Sequence, residues 1–143
     1  MTYTLQLISL TCLAVQEVGG DEIYLKLNDD IIFTWQQLGK TFNNVPVFPE
    51  QTDSFNFQTC QYRTKTGQQG TPHYKGTHFT FRNLSTVVQI ELWESDEGEY
   101  LRGDDDCFGV LEVDASHEDK HGKRIVFNYK GAIYALQYRV ITP

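Results

Sequence analysis

Residues 86–114 read TVVQIELWESDEGEYLRGDDDCFGVLEVD, and this stretch decides the fold. Val88, Ile90 and Leu92 fall on one side and Val87, Gln89, Glu91 and Trp93 on the other. That is the two-residue period of a strand, written in residues that favour a pleated surface. A second apolar run, Cys107 to Val113, follows after a loop that carries Glu94, Asp96, Glu97, Glu99, Asp104, Asp105 and Asp106 against the single cation Arg102. Two strands therefore hold up a rim of carboxylates. Two carboxylates about 4 Å apart repel by roughly 1 kcal/mol in water and roughly 4 kcal/mol at an effective dielectric near 20. A compact rim needs raised carboxyl pKa values, a basic partner or a bound cation, and a splayed one needs none of these. Calcium is the cation that best suits several carboxylate and carbonyl oxygens in a flexible geometry. The same run also reads as a solvated acidic turn that promotes solubility.

Working outward, the same alternation recurs in short segments. The start, MTYTLQLISLTCLAV, reads as a first strand and not as a secretory leader: no Lys or Arg precedes the apolar run, Gln6 and Ser9 interrupt it, and no small-x-small cleavage site follows. A cytoplasmic location is expected on that basis. Ile23, Leu25 and Leu27 form a second strand, Asn28-Asp29-Asp30 a turn, and Ile31 to Trp35 a third strand. Val45 to Phe48 suits a short edge strand beside Pro46 and Pro49. Ser54 to Tyr62 alternates through Phe55, Phe57 and Cys60, 65–76 is a glycine-rich loop, and His78 to Arg82 is a further strand. Arg124 to Tyr129 and Ile133 to Ile141 close the chain, the last with Tyr134, Leu136, Tyr138 and Val140 on one face. Eight to ten short strands and no readable helix mean an all-β fold, an antiparallel β-sandwich or barrel.

The 143 residues suit one domain spanning 1–143, long enough for a core without disulfide or metal staples. The net charge of −7 argues against nucleic acid as a partner. Charge is uneven, however. Residues 54–90 hold no Asp or Glu but do hold Arg63, Lys65, Lys75 and Arg82, so the −7 divides into +4 there and −11 elsewhere. These four cations are a candidate surface for anionic lipid or an acidic protein. Three cysteines, Cys12, Cys60 and Cys107, are odd in number and lack metal-ligand spacing, which points to buried thiols in a reducing compartment.

Two motif matches fail on chemistry. His117-Glu118-Asp119-Lys120-His121 spells HExxH, but Gly122 stops the segment and no Asp, Glu or His follows to supply a third ligand, so a polar connection between strands is expected. An EF-hand frame starting at Asp104 puts Phe108 and Ala115 at ligand positions. No phosphate loop, dinucleotide fingerprint or nucleophile elbow is present, and no catalytic role is expected. Tyr62, Tyr74, Tyr100 and Trp93 stand where a ligand could touch them, although aromatics in all-β domains mostly serve the core.

Taken together, GGDEIYLKLNDD at 19–30 and VVQIELWESDEGEYLRGDDDCFG at 87–109 resemble two signature stretches of C2 domains. The first looks like that family's Gly-x-Ser-Asp-Pro-Tyr before an alternating strand, and the second like its strand, Trp-Asp-x-Asp, loop and Asp-Phe-x-Gly. The resemblance implies a C2-like sandwich of about eight strands, whose loops at one end serve calcium, phospholipid or protein contact. Carried over, Asp21 matches the first-loop aspartate, with Glu17 the nearest candidate for its companion. Glu94 and Asp96 match the acids after the tryptophan, and Asp106, with Asp105 beside it, the acid of the last motif. Calcium is the cofactor so implied, and the function is a non-catalytic, calcium-dependent binding module. The alternative is a calcium-independent interaction or structural subunit of a larger assembly, with the acidic rim serving solubility.

Overall fold

Alternation at 87–94 and 106–114 is realised as the central hairpin of a two-sheet structure. The computed structural model describes residues 4–15, 23–35, 49, 51–63, 73–74, 79–82, 87–94, 106–114 and 118–141. Its strands are β1 (Thr4–Ala14), β2 (Ile23–Leu27), β3 (Asp30–Thr34), β4 (Ser54–Asn56), β5 (Gln61–Arg63), β6 (His73–Tyr74), β7 (Thr80–Phe81), β8 (Val87–Glu94), β9 (Asp106–Asp114), β10 (Asp119–Tyr129) and β11 (Ala132–Ile141). No helix occurs among the described residues. The eleven strands among the described residues exceed the count expected from sequence because β4 to β7 are pieces of only two or three residues, too short for periodicity to register. Val45 to Phe48 lies outside the described residues.

All pairings are antiparallel. One sheet runs β10-β11-β1-β4-β5, and β7 joins the same edge of β1 as β4, beside Leu5 and Gln6, while β4 sits beside Ser9 to Thr11. The other runs β6-β3-β2-β8-β9. Two hairpins turn on two residues, Asn28-Asp29 (φ 48° and 71°) and Lys130-Gly131 (φ 47° and 92°). Positive φ at both positions matches the right-handed twist of the flanking strands.

Bulges explain where simple alternation breaks. In β1 the fully buried residues are Leu5 and Leu7, then Leu10 and Cys12. The phase changes because the register slips between Leu7 and Ser9, inserting Ile8. Ser54 to Tyr62 is likewise not one strand. Asn56 Oδ1 accepts from the backbone N–H groups of Gln58 (2.8 Å) and Thr59 (3.1 Å), and the chain reverses through Phe57–Cys60 to pair β4 with β5. The segment after His117 is also corrected, since Asp119, Lys120 and His121 belong to β10 instead of a connection.

The core lies between the sheets. Phe33 of β3 meets Phe55 of β4 (4.8 Å between ring centres), Phe57 in the turn after β4 (5.2 Å) and Phe79 just before β7 (6.0 Å), mostly edge to face. Such pairs add about 0.5–1.5 kcal/mol each beyond their buried area. At the other edge Gly109 of β9 lies so close to β10 that a Cβ there would stand 2.7 Å from the Phe127 ring. None of the three cysteines forms a disulfide.

Candidate functional site

The strand register brings three acid-bearing segments to one end of the second sheet. Ile23, the first residue of β2, pairs with Glu94, the last of β8, and Glu94 pairs with Asp106, the first of β9. The floor beneath this row is apolar. Leu92 is fully buried, and Phe108, displaced by a bulge between the Leu92–Gly109 and Trp93–Cys107 pairs, turns inward to stack at 5.9 Å on Tyr134. Glu94 continues the inward parity of Val88, Ile90 and Leu92 and is 1% exposed. Its carboxylate therefore faces the space between the sheets and does not stand on a solvated rim. Asp106 is half-buried.

Of the other acids expected at this site, Glu17, Asp21, Asp96 and Asp105 lie outside the described residues. Among the described residues no three His, Cys, Asp or Glu side chains come together as metal ligands. Asp53, which is not among those expected acids, is buried just before β4, whose Ser54 pairs with Thr11 near the end of β1. Its carbonyl accepts from Cys12 N–H at 2.8 Å, beside the end of β1 that carries Tyr134 on its partner strand. The only signal for it in the sequence was its place immediately before the Ser54 strand.

The outer face of the hairpin holds a separate cluster. Trp93 Nε1 donates to Glu91 Oε1 (3.3 Å), the Trp93 ring stacks on Tyr24 (6.4 Å), and Lys26 Nζ lies 5.4 Å over the Trp93 ring. Trp93 is thus packed by its own neighbours, as expected of a structural aromatic. Tyr62 is likewise structural: it is buried, and its hydroxyl donates to the Trp35 carbonyl at 3.0 Å. Cys107, opposite Trp93, has its thiol pKa raised by burial and by the Glu91 charge, against the opposing pull of the Gly109 backbone and Lys26.

The cations divide. Arg63 is exposed on β5 at the level of Thr11, through the pairs Arg63–Ser54 and Ser54–Thr11. Arg82 is exposed just beyond Phe81, which pairs with Leu5. Leu5 and Thr11 are about 20 Å apart along β1 at roughly 3.3 Å per residue. That exceeds two Debye lengths of about 8 Å, so these two do not act as one patch. Lys65 and Lys75 lie outside the described residues.

No helix among the described residues is long and apolar enough to cross a membrane. No family model matches the chain, and no curated protein matches it. Among solved structures, one titled "Structure of a C2 domain" is similar to the chain over 98% of its length and 99% of the other, at 14% identity and a TM-score of 0.45.

Proposed function

We propose that the chain is a non-catalytic binding module that takes up calcium at the Glu94–Asp106 end and uses that end to contact an anionic membrane surface or a protein. The observation that carries this reading is the register row Ile23–Glu94–Asp106, which joins the start of β2 to both strands of the acidic hairpin. Calcium takes six to eight oxygens in a flexible shell. Glu94 and Asp106 fit as carboxylate donors, one inward and one at the strand start. Glu17, Asp21, Asp96 and Asp105 are the further acids that the sequence supplies. Bound there, calcium contributes positive charge to an end that otherwise repels anions, and the chain's own residues set where that charge sits.

Lipid attachment through the basic residues alone is weak. Each cation near an anionic surface contributes about 1 kcal/mol, and Arg63 and Arg82 are far apart. Co-sedimentation with anionic and with neutral vesicles, in calcium and in chelator, tests the proposal. Sedimentation with anionic vesicles only in calcium is expected, abolished by Asp106→Asn and weakened by Lys65→Glu with Lys75→Glu. Absence of binding under every condition removes the lipid reading and favours calcium-independent docking on a protein.

A further inference from the structure

The outer face of the β10-β11-β1-β4-β5 sheet carries cations without acids. Leu5, Leu7 and Leu10 are fully buried, so their neighbours Gln6 and Ser9 point outward, and directly paired residues share a face. Two outward rows follow from the register: Arg139–Gln6–Thr80, and Arg124–Gln137–Ser9–Asn56–Gln61. Neither row contains Asp or Glu. Arg124 reaches its place through the bulge before it, where pairing jumps from Asp119–Val140 to Lys123–Tyr138. Gly122 makes that bulge possible: its φ is +79°, and an added Cβ would stand 2.9 Å from the Tyr138 carbonyl oxygen. Arg82 follows Phe81, whose partner is the buried Leu5, and so continues the outward parity of Thr80.

The acceptors of this face are consumed within it. Arg139 Nε donates to Gln6 Oε1, Ser9 Oγ donates to Gln137 Oε1 at 2.9 Å, and Asn56 Oδ1 is taken by the N–H groups of Gln58 and Thr59. The amide NH2 groups of Gln6 and Gln137 and the terminal guanidinium nitrogens of Arg139 are left over as donors. Arg82 and Arg124 are exposed and have no ion-pair partner among the described residues, since Glu118 and Asp119 at the start of β10 pair with Lys120 and Lys123 instead. At roughly 3.3 Å per residue and roughly 4.8 Å between strands, Arg124 and Arg139 are about 8 Å apart and Arg139 and Arg82 about 12 Å. The three lie nearly in line over about 20 Å.

We propose that this face binds an extended acidic segment of a partner protein, with one carboxylate on each of Arg124, Arg139 and Arg82. A surface of donors with its own acceptors used up favours an oxyanion over any other polar ligand, and guanidinium forks take both oxygens of a carboxylate at once. Seven extended residues span about 20 Å, and acids at the first, third and seventh positions fall about 7 Å and about 13 Å apart, close to the arginine spacing. A broad anionic surface fits less well. It must approach a chain of net −7 as a whole, whereas a narrow segment touches only the acid-free rows. The site involves neither calcium nor the Glu94–Asp106 end.

The test is an NMR titration in chelator with acetyl-Glu-Gly-Glu-Gly-Ser-Gly-Glu-amide, against the same peptide with glutamine for each glutamate. The acidic peptide should shift the amides of Gln6, Arg124, Gln137 and Arg139 with a midpoint in the millimolar range, and the glutamine peptide should bind about tenfold more weakly or not at all. Arg139→Gln should weaken the acidic peptide about tenfold and Arg139→Lys about threefold, because lysine keeps the charge and loses the fork held by Gln6. Arg82→Gln and Arg124→Gln, at exposed positions, should each weaken it about threefold, and they keep the test decisive if Arg139→Gln does not fold. Asp106→Asn should leave it unchanged. Equal responses to the two peptides, no response to either, shifts confined to the Glu94–Asp106 end, or unaltered affinity in the arginine variants would overturn the proposal. Sedimentation with anionic vesicles in chelator that is lost in Arg139→Gln would overturn the protein assignment in favour of a lipid surface.

Discussion

At one end of the sandwich Glu94 is 1% exposed on the core side of β8, whereas at the other the side chains of Asp119 and Glu118 are 29% and 32% exposed and each has a lysine near it. The contrast follows from what lies underneath. The first end rests on packed apolar side chains, Leu92 and Phe108, which carry the glutamate inward with the strand's parity. The second rests on a backbone bulge at Gly122 that leaves its acids in contact with water. An ionised carboxylate taken out of water is costly unless hydrogen bonds or positive charge compensate it. One carboxylate is thus held out of water with its strand, and the acids of the other end stay hydrated.

Removing each foundation is the most severe way to separate the two ends. Leu92→Ala should cost about 2–5 kcal/mol in chemical denaturation, the range for deleting a fully buried leucine. It should also loosen the Glu94–Asp106 row. Gly122→Ala should cost about 1–3 kcal/mol, because alanine is strained at positive φ and meets the Tyr138 carbonyl. Amide exchange in the variant should quicken around Lys123 and Tyr138 and not around Glu94. A uniform increase over both ends would mean that the bulge is not a local support.

A smaller effect lies in the alkaline limb, and each end has its own group. Burial holds the Cys107 thiol above its ordinary 9.0, and burial with the Asp119 charge holds the Tyr138 phenol above its ordinary 10.0. In both cases the unfolded chain releases its proton first. Stability is therefore complete below the ordinary value and falls as pH rises from there through the folded pKa. Urea midpoints measured from neutral to alkaline pH should decline in two stages. Cys107→Ser should remove the earlier one and Tyr138→Phe the later, and a decline unchanged in both variants would contradict the assignment.

How much of this was legible in the sequence differs by region. The Val87–Asp114 hairpin and the Asn28-Asp29 turn were readable because alternation and turn residues act locally. The inward place of Glu94 was available too, as the next even position after Val88, Ile90 and Leu92, but its charge suggested a rim. The phase change in β1 and the β4–β5 reversal were hidden, since a bulge and a short turn both imitate continued alternation. His117 to His121 looked like a connection because the bulge at Gly122 scatters its polar residues. The line of arginines was invisible to motif reading: register across β10, β11, β1 and β7 assembles it from residues 82, 124 and 139, and no local spacing encodes that pairing.

The most direct measurement of the calcium reading is thermal melting in 1 mM calcium and in chelator, for the wild type, Asp106→Asn and Asp119→Asn. With an affinity on the order of 10⁻⁴ M, saturation should add about 1.4 kcal/mol, a rise of a few degrees. The wild type and Asp119→Asn should show that rise equally, and Asp106→Asn should not. An unchanged wild-type melting curve, or a rise that survives Asp106→Asn and disappears in Asp119→Asn, would contradict the assignment of calcium to the Glu94–Asp106 end.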